Sequence, residues 1–261
     1  MCGLCGIIFG KANRSRSEYA KLNSAFTRLL ALNETRGKDA AGMAVVRDDR
    51  DYYLLKRPGR AISLIGLPEY FDRLEMVDDH ATLLMGHTRL ATVGQIERMD
   101  NAQPLRAGSC LGTVNGTITN ADELFCKHKL PRFAEVDSEL IVRLADKSIV
   151  NTDIALKRLL PALRPCHGQL SAVIVNLGNP GRILLLKGNR PLTAYYHEDL
   201  NVVAYSSEAR HLDRALADID GWCDLSLKSM TYAVFDIADL SEPKTGKFTF
   251  NAHPGRRQDH V

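Results

Sequence analysis

Residues 1–10 read MCGLCGIIFG, and what the first cysteine does decides the kind of protein that follows. Residues 7–9 are apolar and β-branched or aromatic, flanked by glycine, and read as a strand. Cys2 therefore stands at the start of a strand. Four roles are open to it: nucleophile, half of a redox pair with Cys5, metal ligand, or small packed hydrophobe. The C-x-x-C redox motif follows a strand and opens a helix, a context this stretch lacks. A structural zinc site calls for a second close pair of ligands, and Cys110, Cys126, Cys166 and Cys223 are isolated from one another, with adjacent Cys166-His167 the only suggestion. Packing is the ordinary fate of a free cysteine and suits Cys5. Cys2 differs by position. Once Met1 is removed, the same residue carries an α-amine of ordinary pKa about 8 and a thiol of about 8.5. Base and nucleophile then come preassembled, as when a threonine hydroxyl is paired with an N-terminal amine, and no His or Asp partner is required.

The 261 residues are 45% hydrophobic and 25% charged, which gives room for a sizeable core in one large domain or two small ones. The net charge is +3, with no dense Lys/Arg run interleaved with aromatics, so a nucleic-acid groove is not expected. No apolar stretch approaches the ~20 residues that span a bilayer, and no signal-like segment opens the chain. A cytoplasmic protein with reduced thiols and no membrane partner is the expectation.

Outward from the opening, Tyr19, Leu22, Phe26 and Leu29 recur at steps of three and four, which predicts an amphipathic helix over residues 17–32 with Ser17 as N-cap. GMAVV (42–46) and YYLLK (52–56), joined by RDDRD, read as a hairpin. Further strands are expected within residues 82–91, 109–116, 171–177, 182–188, 200–207 and 231–237, and further helices within 137–148, 152–164 and 207–219. Strands and helices come in clusters, without strict β-α-β alternation. That pattern argues for an α+β protein in which antiparallel sheets are stacked and covered by helices. Residues 241–261 are polar and weakly patterned, and are expected as a C-terminal extension beyond a domain of residues 2–240.

If Cys2 attacks a carbonyl, the oxyanion that forms needs donors held in place. Asn115 and Gly116, in VNGTITN (114–120), offer a side-chain amide and an open backbone. Asn-Gly is equally a strong signal for a two-residue hairpin turn, and both readings stand. Arg89 lies within an apolar strand-like run, where a guanidinium is costly unless partnered. A substrate carboxylate or an internal ion pair would each serve. His87 shares its face of the strand and is read as a hydrogen-bonded structural histidine. Asp137 stands where a helix N-cap belongs, a place also compatible with binding a substrate ammonium. Together these groups describe a site for an α-amino acid with an acyl side chain.

Seven segments in order then resemble one family: CGLCGI (2–7), RGKDAAGMAVV (36–46), HTRLAT (87–92), NAQPL (101–105), VNGTITN (114–120), DSELIVRL (137–144) and KGNRPL (187–192). The chain resembles the class II, or N-terminal-nucleophile, glutamine amidotransferase domain over nearly its whole length. The resemblance implies a four-layer αββα sandwich. It implies that Cys2 attacks the side-chain amide of L-glutamine, releasing ammonia and leaving a γ-glutamyl thioester that water hydrolyses to glutamate. It further implies that the Cys2 amine is the base, that Asn115 and Gly116 form the oxyanion hole, and that Arg89 and Asp137 hold the glutamine α-carboxylate and α-amine. Backbone at Thr92 and Val93 would line the pocket, Arg36 and Gly37 would support the nucleophile's end, and no metal or cofactor is needed. Thr92-Val93-Gly94 matches neither the hexosamine-synthase nor the asparagine-synthetase branch, so the subfamily stays open. The expected function is a free-standing glutaminase passing ammonia to an acceptor site on a partner protein. The alternatives are hydrolysis of another γ-glutamyl compound and a non-catalytic regulatory module with the same fold.

Overall fold

In the computed structural model, which describes residues 1–252, the chain runs β1 (Gly3–Phe9), α1 (Arg16–Asn33), β2 (Ala40–Arg47), β3 (Tyr52–Pro58), α2 (Ala61–Ile65), α3 (Pro68–Leu74), β4 (Ala81–Arg89), β5 (Leu105–Ala107), β6 (Cys110–Ile118), α4 (Ala121–His128), α5 (Glu139–Lys147), β7 (Ile149–Val150), β8 (Asp153–Ile154), α6 (Leu156–Leu163), β9 (His167–Asn176), β10 (Asn179–Lys187), β11 (Thr193–His197), β12 (Val202–Ser206), α7 (Ala209–Ala215), β13 (Trp222–Asp224), β14 (Thr231–Asp236), β15 (Asp239–Lys247) and β16 (Asn251–Ala252). The first sheet has the order β13-β11-β12-β1-β4-β2-β3 and the second β15-β14-β10-β9-β6-β5, with β16 added beside β9. Apart from the parallel β16–β9 contact, strand pairs in both sheets are antiparallel. The architecture is the αββα sandwich that the clustering of strands and helices pointed to.

Alternation along each strand sorts the residues into three cores. Leu4, Ile8, Leu83 and Met85 of the first sheet meet Leu111, Val173 and Ile183 of the second in the central layer. Cys5, Ile7 and Leu84 face the other way, against Leu22, Phe26 and Leu29 of α1. On the far side, Val114, Ile174 and Leu184 of the second sheet pack against Leu140, Leu144 and Leu159 of α5 and α6. Strand β1 lies at the centre of its sheet and is buried along its whole length, which is why its sequence is nearly unbroken apolar residues and glycine.

Differences from the sequence reading are local. The N-cap of α1 is Ser15, closing a capping box with Glu18, so the helix starts two residues before the predicted place. Helix α6 begins at Leu156 because Asp153–Ile154 pair with Ile149–Val150 instead. Residues 241–252, expected as an extension, carry most of β15 and all of β16 in the second sheet. The remainder of that expected extension, 253–261, lies outside the described residues. Among the described residues no helix is long and apolar enough to cross a membrane.

Candidate active site

The first sheet brings Cys2 to Arg89. Antiparallel pairing sets Gly3 opposite Thr88 and Leu4 opposite His87, so the chain just before β1 lies beside the end of β4. The half-buried Cys2 Sγ contacts the Leu90 carbonyl at 3.7 Å. By alternation Cys2, Leu4 and Ile8 share the inter-sheet face, whereas Cys5 points into the α1 layer and is 0% exposed. The two thiols of CGLC therefore face opposite sides of one strand, which removes the redox pairing.

Arg36 clasps the start of the chain. Its Nε donates to the Cys2 carbonyl at 2.8 Å, and its Nη1 pairs with Glu208. Gly37 has no room for a side chain: a Cβ there would overlap the Arg89 carbonyl and the Leu90 nitrogen. Met1 is exposed, but its thioether sits 3.1 Å from Nη1 of Arg190. Arg190 Nε is buried without a hydrogen-bond partner.

The Arg89 guanidinium is turned into the following loop, donating to the carbonyls of Val93 at 2.6 Å, Gly94 at 3.0 Å and Gln95 at 3.3 Å. At least two of its five N–H groups stay available, and among the described residues no carboxylate lies within ion-pair distance of it. The internal ion pair considered for Arg89 is thus not formed. Thr92 and Val93 themselves are exposed. The loop is fastened from behind by Glu135, whose carboxylate accepts from the Gln95 amide and from Asn101 Nδ2, and by Asp39, which accepts from the Ala91 amide at 2.7 Å.

Asn115 and Gly116 lie inside β6, opposite Ser171 and Leu170 of β9; there is no hairpin turn here. Asn115 is 2% exposed, and its Nδ2 is buried with no acceptor. Odd residues of β6 face the inter-sheet layer, as Leu111 does, so Asn115 shares that layer with Cys2, His87 and Arg89. The open edge of β6 is closed by side chains. Gln103 bonds both the amide and the carbonyl of Val114, and Asp137 accepts from the Ile118 amide. Backbone direction alternates along a strand, so the Gly116 N–H between these two faces the same edge. Glycine is required there because a Cβ would overlap the Gln169 carbonyl.

Asp137 does not cap α5. That place falls to Ser138, without a side-chain cap bond. Burial pushes the Asp137 carboxyl and the Cys2 thiol up and the Arg89 guanidinium down. Arg89 pulls the Cys2 thiol back and Asp137 opposes it, so the three groups act on one another at one end of the sandwich. Sequence reading missed the residues that position them, namely Asp39, Gln103, Glu135, Arg190 and Glu208. Three of these fall inside the quoted segments, but nothing about a lone polar residue says which backbone it will hold.

The partner of His87 is the Val114 backbone, whose pull favours the protonated ring, but neither ring nitrogen reaches normal hydrogen-bond geometry, so the bond expected for this histidine is at best a distorted one. Burial takes its pKa down to about 3. The folded protein then keeps His87 neutral while the unfolded chain takes up a proton below about 6.5. This contribution to stability is complete above pH 6.5 and is lost as pH falls from there toward 3, by about 1.4 kcal/mol per unit. Chemical denaturation at pH 7, 6 and 5 should show that slope reduced by one proton in His87→Gln. An unchanged slope would move the acid sensitivity elsewhere.

No protein-family model matches the chain. Among curated proteins, it is 24% identical over 222 residues to 7-cyano-7-deazaguanine synthase of Sulfolobus acidocaldarius, covering 84% of this chain and 45% of that one. It is 30% identical over 211 residues to glutamine–fructose-6-phosphate aminotransferase (isomerizing) of Staphylococcus epidermidis, covering 78% of this chain and 32% of the other. The chain spans less than half the length of these relatives. Among solved structures, glutamine phosphoribosylpyrophosphate amidotransferase from B. subtilis superposes with a TM-score of 0.67 at 20% identity, over 95% of this chain and 49% of that one. A structure described as the allosteric regulatory enzyme of purine biosynthesis superposes with a TM-score of 0.69 at 18% identity, over 95% and 49%.

Proposed function

We propose, from the premise that this chain carries a class II glutamine amidotransferase domain, that it hydrolyses L-glutamine through Cys2 and delivers the ammonia to an acceptor site outside residues 1–252. The observation that carries the reading is the juxtaposition at one end of the sandwich. A thiol heads the central strand, an arginine without a carboxylate stands beside it, and a buried side-chain amide without an acceptor lies on the facing strand. An orphaned buried donor costs stability unless something else engages it. A developing oxyanion would do so.

In this mechanism the amine freed by loss of Met1 takes the Cys2 proton, and the thiolate attacks the glutamine Cδ. Asn115 Nδ2 and the Gly116 N–H hold the oxyanion. Collapse expels ammonia, protonated by the same amine, and leaves a γ-glutamyl thioester, which water cleaves to glutamate. The remaining N–H groups of Arg89 take the α-carboxylate and Asp137 takes the α-ammonium. Burial raises the cost of leaving Asp137 charged and alone, and an incoming ammonium offsets that cost. The carbonyls that anchor Arg89 set its orientation, so the loop around Thr92 and Val93 shapes the pocket through backbone.

The acceptor half of the proposal is supported by the names of the longer relatives, a synthase and an aminotransferase. Here the ammonia is consumed on a further domain or partner protein, and the isolated glutaminase turns over slowly until that partner docks. Intact mass before and after a glutamine-mimicking diazoketone tests the core. Loss of Met1 and a single adduct on Cys2 are expected, and an unlabelled Cys2 in fully trimmed protein would overturn it.

A further inference from the structure

A cavity of about 330 Å³ lies on the outer face of the second sheet. Even-numbered residues of β9 and β10 face this side, as Ile174 and Leu184 do in the helix-covered core. The cavity is bounded by Asn176, Asn179, Arg182, Leu184, Val234 and Lys244 from the sheet, and by Val150 and residues 152–157 from the β7–β8 hairpin and the start of α6. Leu184 is three residues along β10 from Lys187, which pairs with Ser171 and through it with Asn115. The cavity is therefore about 10 Å along the strand from the level of Asn115 and on the opposite face. It shares no residue with the candidate active site.

Its floor is apolar, from Ile154, Leu184 and Val234, and its rim is cationic. The carboxylate of Asp153 is already engaged, accepting from Asn179 Nδ2 at 2.7 Å and from Arg182 Nη1 at 2.6 Å. Arg182 is further balanced by Asp236 at 3.5 Å. Lys157 and Lys244 are exposed and have no carboxylate within ion-pair distance among the described residues. Two uncompensated positive charges thus stand over an apolar floor, in a space at the small end of ligand pockets.

We propose that this cavity binds a small organic anion with an apolar body, a carboxylate or a phosphate monoester, its charged group between Lys157 and Lys244 and its body on Leu184 and Val234. Phenyl phosphate, benzoate and neutral benzyl alcohol, titrated into the full chain and followed by backbone-amide NMR shifts, test it. Both anions should give saturable shifts at Ile154, Leu184 and Val234 and bind at least about tenfold more tightly than the alcohol. The Lys157→Ala/Lys244→Ala protein should lose about tenfold for the anions and keep its affinity for the alcohol. The tighter of the two anions assigns the charged group. Shifts that map elsewhere, anion affinities unmoved by the double substitution, or tighter binding of an acidic peptide would overturn the proposal. None of these results bears on the chemistry at Cys2.

Discussion

With Cys2 replaced by alanine, glutamine hydrolysis is expected to fall by at least about 10⁴-fold, the scale on which removing a nucleophile ends covalent catalysis. Alanine is small enough for Met1 still to be removed, so the free amine is kept and the loss isolates the thiol. The amine is isolated by the converse experiment. A cleavable leader placed directly before Cys2 turns its nitrogen into an amide, which has no basicity to offer. Hydrolysis should be absent with the leader attached and should return on cleavage. Cys5→Ala is the control: that thiol is buried in the α1 layer, where burial pushes its pKa far up, and turnover should stay within about twofold. Ammonia release, measured with protein whose mass confirms the terminus, checks all three. A Cys2→Ala protein retaining more than about 1% of turnover would remove Cys2 from the mechanism.

Asn115→Ala should lower kcat by about 10²–10³-fold with little change in KM, because the amide is called on only once the oxyanion forms. The same substitution should cost the fold little. Asn115 Nδ2 has no acceptor to lose, and removing an unsatisfied buried donor relieves part of the penalty for having buried it. A protein of near-normal thermal stability that still takes the diazoketone on Cys2 but barely turns over is therefore expected. Steady-state kinetics and a melting curve decide it. A loss below about threefold in kcat would end the oxyanion role.

Strands β1, β4, β9 and β10 were legible because both their faces are buried and their sequences are correspondingly continuous in Ile, Leu, Val and Ala. Strand β15 was not, because its DLSEPKTGK lies at the sheet edge with most side chains exposed; backbone pairing with β14 defines it, and no periodicity betrays that. Helices α2 and α3, at five and seven residues, are too short for a 3.6-residue repeat to declare itself. Within the candidate site, Arg89 was noticed because a charged group in an apolar run is conspicuous in any sequence, and Asn115 because a side-chain amide beside a glycine can hold an oxyanion. Glu135 and Gln103 were not, because each works by bonding a backbone group 40 or 11 positions away.

The contact between the Met1 thioether and Arg190 has a consequence for how any preparation is measured. A chain retaining Met1 and a chain beginning at Cys2 differ by one exposed residue, so gel mobility counts them together, whereas turnover under the proposed mechanism counts the second alone. Specific activity is then a product of two numbers, the trimmed fraction and the rate of that fraction. Expression that outruns the aminopeptidase lowers the first without touching the second. Titrating reactive Cys2 before each rate measurement separates them, and variants at Arg190 should be compared per labelled site, since loosening the hold on Met1 shifts the trimmed fraction itself.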